Sequence, residues 1–210
     1  MTATASVKPA GAADDSLRPA VSPAGAWWIL IAGVLGLIAS AILTIEKIEL
    51  LLNPNYVPSC NLNPIVSCGS VMTTPQASAF GFPNSLIGIA AFAVVAVTGV
   101  LAVAKVPLPR WYWVGLTVGI LAGAGFVHWL IVQSLYRIGA LCPYCMVVWV
   151  ATISLLVVVA SIAFGPAEDG DGNVIARELY RWRWSIATLW FTAVFLLIVV
   201  RFWDFWSTLI

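Results

Sequence analysis

Charge is what this chain has least of. Only 9% of its 210 residues are charged, while 61% are hydrophobic. A soluble domain carries roughly 25% charged residues, so that class is excluded. A net charge of +1 leaves no basic surface for a nucleic acid, and no nucleic-acid partner is expected. Histidine occurs once, as His128, and cysteine four times. These do not make a zinc-type ligand set. Cys142 and Cys145 have the Cys-x-x-Cys spacing, but Cys60 and Cys68 are far wider apart and have no histidine nearby, so no metal is expected. No internal repeat is evident.

What the chain has in abundance is uninterrupted apolar sequence. Five runs are long enough to cross a bilayer as helices: Trp27–Ile45, Asn84–Ala104, Trp111–Tyr136, Cys142–Phe164 and Ser185–Trp203. The class is therefore a polytopic all-α integral membrane protein. Residues 1–25, rich in Ala, Pro and Ser, read as a disordered tail. The longest hydrophilic connection is 46–83, and a second polar loop covers 165–184. Within the first of these, Thr74 before Pro75 reads as a helix cap, so a short surface helix is expected after it. Gly115, Gly119, Gly123 and Gly125 suggest a small-residue face on the third span, allowing close helix approach.

Basic residues orient the spans. With the N-terminus inside, Lys8, Arg18, Lys105, Arg110, Arg177, Arg181 and Arg183 are cytoplasmic; Lys47, Arg137 and Arg201 are outside. The positive-inside rule favours this topology. It puts both cysteine pairs on the outer face, where disulfides persist. Trp27, Trp28, Trp111, Trp113, Trp182 and Trp184 fall at the inner boundary, and Trp203 and Trp206 at the outer, as an aromatic belt.

The chemistry centres on Cys142-Pro-Tyr-Cys145. At this spacing two thiols share one helix face and can form a disulfide reversibly. Pro143 suits a first helical turn, and the positive helix end favours a thiolate. Cys60 and Cys68 form either a second redox pair or a structural staple. Their loop is read as exposed, within reach of a partner's thiolate. A relay through both pairs needs a final acceptor soluble in lipid, such as a quinone. Asn84 can donate to a quinone carbonyl, or it can cap the second span. Trp149, four residues after Cys145, can wall the pocket. His128 reads as a satisfied interhelical group.

Four motifs in order carry a resemblance: Cys60; Cys68-Gly-Ser-Val-Met-Thr-Thr-Pro; Phe82-Pro-Asn-Ser-Leu-Ile-Gly88; and Cys142-Pro-Tyr-Cys145. Over roughly Trp27–Phe164 the chain resembles the vitamin K epoxide reductase family in its bacterial branch. The resemblance implies a four-helix bundle around a quinone (residues 26–164), a fifth transmembrane helix (185–210), and an outer loop carrying a cysteine pair over the bundle's mouth. It also implies roles. Cys145 meets the quinone, Cys142 exchanges with Cys68, and Cys60 meets a thioredoxin-fold partner. Asn84 bonds a quinone carbonyl, and Thr74 occupies the family's Ser/Thr position.

Two departures matter. Animal members carry tyrosine where Trp149 stands. Many bacterial members continue into a thioredoxin-like domain, and after Trp203 only a few residues remain here, so the partner is expected to be a separate protein. The expected function is a cytoplasmic-membrane enzyme that reoxidises a secreted DsbA-like thiol oxidase and reduces menaquinone or ubiquinone. The alternatives are a vitamin K epoxide or quinone reductase proper, and a membrane scaffold with structural disulfides.

Overall fold

The computed structural model describes residues 21–53, 55–165 and 174–208. Most of the expected tail, and Glu168, Asp169 and Asp171 of the loop at 165–184, lie outside the described residues. The chain is an all-α membrane protein, with five helices among the described residues long and apolar enough to span. In order these are α1 (Pro23–Leu52), α3 (Asn84–Val103), α4 (Arg110–Val132), α5 (Pro143–Phe164) and α6 (Val174–Arg201). The short helices α2 (Cys68–Met72) and α7 (Trp203–Trp206) complete the set. The only extended pairing among the described residues is an isolated bridge between Val66 and Leu141.

Local chemistry starts these helices. The Ser22 hydroxyl accepts from the Gly25 N–H at 3.1 Å, with Pro23 in the first position. α1 then runs for 30 residues, about 45 Å, against roughly 30 Å of hydrocarbon. It therefore passes the expected end at Ile45 and carries Glu46, Lys47 and Glu49 on its outer turns, because Glu, Lys and Leu are good helix formers. For the same reason α6 begins at Val174, well before Ser185. α4 ends in a wider π turn, Gln133–Ile138, closed by Gly139 in the left-handed region (φ 72°).

α1 packs along α3 and α5, and α5 along α4. Ile29, Phe92, Trp113, Leu155 and Val159 form the centre of this bundle. α6 lies outside it, with its Ile198, and Phe202 just beyond its end, on Val127, Leu135 and Trp149. It is also tied by two hydrogen bonds. The Trp190 indole donates to His128 Nε2 at 2.7 Å, and Arg201 Nε donates to the Leu135 carbonyl at 2.9 Å. His128 Nδ1 is 2.7 Å from the Ala124 carbonyl, so both ring nitrogens are engaged between helices.

The tightest helix pair is not where the glycines of α4 suggested. A Cβ on Gly99 would fall 2.5 Å from Leu30 Cα, and one on Gly33 would fall 2.8 Å from the Ala96 nitrogen. Glycine is therefore required where α1 and α3 touch backbone to backbone. On α4, Gly115, Gly119 and Gly125 have nothing within 4 Å of such a Cβ, and Gly123 only a methyl of Thr152 at 3.8 Å. Trp113 also departs from the belt. It is 1% exposed, packed in the core, whereas Trp27, Trp28, Trp111, Trp182, Trp184 and Trp203 are exposed.

Candidate active site

All four cysteines meet at one end of the bundle. The reason is backbone pairing between segments distant in sequence. Ser67 N–H donates to the Leu141 carbonyl at 2.9 Å, and Leu141 N–H to the Ile65 carbonyl at 2.7 Å. One residue further on in each segment stand Cys68 and Cys142. The turn before Cys68 is shaped by asparagines: Asn63 Oδ1 accepts from the Ile65 and Val66 N–H groups, and Asn61 Oδ1 from Gly69 N–H and the Ser67 hydroxyl. Ser67 in turn caps α2 through Ser70 N–H at 3.2 Å. This short helix went unforeseen. Ser67 three residues before Ser70 was its signal.

Cys60 and Cys68 are joined as a disulfide, while Cys142 and Cys145 are free thiols. Cys142 Sγ lies 3.1 Å from Cys68 Sγ. Cys142 is the N-cap of α5, with Pro143 following, and its sulfur accepts the Cys145 N–H at 3.4 Å. Just outside the span, Cys142 is held below the usual thiol range by a hydrogen bond from the Cys145 side chain, against the upward pull of burial. A free thiol poised on a disulfide sulfur is the geometry of thiol–disulfide exchange.

The loop disulfide is not open to solvent as expected. Cys60 is 6% exposed and Cys68 0%. The loop folds down onto α1 and the mouth of α5, and the sulfurs face inward against Leu43, Met72 and Cys142. Val57 and Leu62 remain exposed on its outer side. Sequence reading also missed Glu46, a buried carboxyl whose Oε2 is 3.3 Å from Cys60 Sγ. The side-chain ligand atoms of Glu46, Cys60 and Cys68 lie within 4.8 Å of one another, but the closed disulfide withdraws both thiolates from any metal.

Below the cysteines lies a cavity of about 560 Å³. Its walls come from α1, α3, α4 and α5, and it sits where α3 and α4 make almost no contact. Leu43, Phe92 and Leu155 line it, with Gly115, Gly119 and Gly123 forming a wall without side chains. Cys145 lines it too, so Cys145 faces the cavity while Cys142 meets the loop. Trp149 borders the same space. It is 3% exposed, and its indole N–H has no hydrogen-bond partner.

Asn84 and Thr74 also line the cavity, but their polar groups have local partners. Asn84 Nδ2 donates to the Gln76 carbonyl at 2.7 Å, and Oδ1 accepts from Ala79 N–H at 3.0 Å. The amide thus pins the 3-10 turn Pro75–Ser78 to the start of α3 rather than capping its own helix. Thr74 precedes that turn without a side-chain cap bond, and its hydroxyl donates back to the Val71 carbonyl at 2.7 Å. The threonine cap read from the sequence is absent because the carbonyl of α2's last turn lies closer.

Comparison of the sequence with curated proteins returns no match. The model of the vitamin K epoxide reductase family matches residues 27–160, which hold all four cysteines and the four bundle helices apart from the first turn of α1 and the last of α5.

Proposed function

The chain belongs to the vitamin K epoxide reductase family and is a membrane oxidoreductase; on that premise we propose that it oxidises protein thiols outside the cell and delivers the electrons to a membrane quinone, menaquinone or ubiquinone. One observation carries this reading: Cys142 touches the loop disulfide while Cys145, one turn on, lines an apolar cavity.

The residues fit a quinone. The cavity volume is in the usual range for a small-molecule site, and its walls, the Trp149 ring among them, are almost wholly apolar. When bound, a quinone supplies an acceptor for two electrons and two protons. The remaining chemistry belongs to the sulfurs. A partner's thiolate attacks Cys60, and the Cys60–Cys68 bond breaks. The partner's second thiol closes its own disulfide and leaves Cys60 and Cys68 reduced. Cys68 then attacks Cys142 of a Cys142–Cys145 disulfide, and Cys145 departs as thiolate. Cys60 closes on Cys68, freeing Cys142. The loop is again oxidised and the helix pair holds the two electrons, which is the state of the present structure.

The partner proposed is a separate thioredoxin-fold, DsbA-like oxidase, for which the exposed Val57 and Leu62 beside the disulfide provide an apolar seat. Because the disulfide itself is buried, docking has to lift the loop. Purified protein in detergent is expected to oxidise such a reduced partner only when menaquinone or ubiquinone is added. Turnover without quinone, or none with it, would sink the reading. The proposed orientation puts the cysteine end outside. Leu62→Cys, on the exposed loop, should then be labelled on intact cells by a membrane-impermeant maleimide; labelling only after lysis reverses the topology.

Two cavity residues test the pocket. Trp149→Phe trims the apolar wall and leaves a void against Val127 and Leu135, so quinone KM should rise several-fold and stability should fall by about 1–3 kcal/mol. Asn84→Ala should raise KM by a similar factor and lower stability by about 1 kcal/mol, because it unpins Gln76 and Ala79. Titrations of quinone and thermal melts check both. An unchanged melt in Asn84→Ala would remove its structural role.

A further inference from the structure

Glu46 lies on the outer turns of α1 and is 4% exposed. Oε1 accepts from the Ser59 N–H at 3.1 Å and from the Ser59 hydroxyl, while Oε2 lies 3.3 Å from Cys60 Sγ. Its neighbour Lys47 directs its ammonium to the Met72 carbonyl, 2.5 Å away. A buried acid in a membrane protein is costly and tends to mark function. Holding the loop does not require an acid: a glutamine oxygen would accept from Ser59 equally well. What a glutamine lacks is a second oxygen that can carry a proton to sulfur. With the disulfide closed, Cys60 has no proton to donate, and the contact at 3.3 Å holds a carboxyl oxygen against Sγ. With the loop reduced, the Cys60 thiol donates to the carboxylate.

We propose that Glu46 is a catalytic residue of the loop, the group that exchanges a proton with Cys60 whenever the Cys60–Cys68 bond opens or closes. This rests on the relay described above. On opening, the partner's second thiol gives up its proton to Glu46 as it displaces Cys60 as a thiolate, and Glu46 passes that proton to Cys60. On closing, Glu46 takes that proton back. Cys60 then attacks Cys68, the Cys68–Cys142 bond breaks, and Cys142 leaves as thiolate. No other oxidant or reductant is needed. The gain is substantial: a thiol of ordinary pKa, about 8.5, is only about 3% thiolate at pH 7. Other titratable groups near this carboxyl are Cys68 at the start of α2, Cys142 with Cys145 behind it, and Tyr144, whose hydroxyl is 3.5 Å from Ser59 Oγ.

The test uses the full chain carrying Cys145→Ala, in which one disulfide moves between Cys60–Cys68 and Cys68–Cys142. A jump from about pH 5 to about pH 7 perturbs that balance, and acid quenching followed by peptide mapping reads the relaxation. Neither partner nor quinone is involved. Adding Glu46→Gln should slow relaxation by about 10–30-fold at pH 7, the deficit closing towards about pH 9 as Cys60 ionises unaided. Tyr144→Phe should leave the rate unchanged. An equal rate in Glu46→Gln, or an equal loss in Tyr144→Phe, overturns the proposal. Should Glu46→Gln fail to fold, Glu46→Asp carries the test: its shorter reach withdraws the carboxyl and should slow relaxation several-fold, and an unchanged rate is fatal. If wild-type protein passes no electrons from thiols to quinone while this difference persists, the relay reading fails and the assignment of Glu46 stands.

Discussion

Replacing Cys145 with alanine should stop thiol oxidation and leave the loop covalently joined to α5. Cys142 then has no partner on its own helix, yet its sulfur remains 3.1 Å from Cys68. Attack on Cys68 transfers the existing disulfide from Cys60–Cys68 to Cys68–Cys142 and frees Cys60. No oxidant is consumed, and the sulfurs are already at reacting distance, which removes most of the entropic barrier to the exchange. The N-cap geometry survives because Cys142 and the backbone N–H of residue 145 are retained. Peptide mapping without reductant should find Cys68 linked to Cys142, with Cys60 open to alkylation. Quinone-dependent activity should fall by roughly 10³-fold or more, as when a nucleophile acting in a coupled set is deleted. A link between Cys60 and Cys142 would reverse the loop order. Persistent activity with no new link would reduce the loop disulfide to a staple.

Gly119→Leu should strongly weaken quinone use while leaving the fold at least as stable. Gly119 lines the cavity, and a Cβ placed on it meets nothing within 4 Å. The leucine therefore fills space a quinone would need and does not collide with protein. Overpacking of this kind costs about 1–3 kcal/mol, here on binding, or roughly a 5–150-fold rise in quinone KM. In the helix itself leucine is preferred over glycine by up to about 1 kcal/mol, so melting temperature should hold or rise. Movement of the disulfide in the Cys145→Ala background should be unaffected. Gly125→Leu is the control: Gly125 also has nothing within 4 Å but does not line the cavity, so KM should stay at the wild-type value. Unchanged quinone kinetics in Gly119→Leu would rule out this cavity as the acceptor site.

Much of the molecule was legible along the chain. Five spans follow from run length, because a helix is the segment that satisfies its own backbone in lipid. The N-cap role of Cys142 follows from Pro143 beside it, and the family from four ordered motifs. The glycine reading failed for a specific reason. Lipid and protein are equally apolar, so hydropathy does not distinguish a glycine against another helix from one facing a cavity. Gly33 and Gly99 serve the first role; Gly115 and Gly119 serve the second.

A short helix after Thr74 was legible from Pro75, and the 3-10 turn Pro75–Ser78 stands there, but what the polar groups of Asn84 and Thr74 bond depends on how that turn lies against α2 and α3. Glu46 looked like the first residue of a loop because the apolar run stops there. The helix does not stop, and it carries the acid beneath Cys60. By itself, then, the sequence determined the spans, the two cysteine pairs and the start of α5, all properties of neighbouring residues. Only the tertiary structure decided that Cys68 meets Cys142, that the loop disulfide is buried, and that Cys60 has an acid at its side. Each joins segments far apart in the chain, and such contacts are set by how the helices and loop pack.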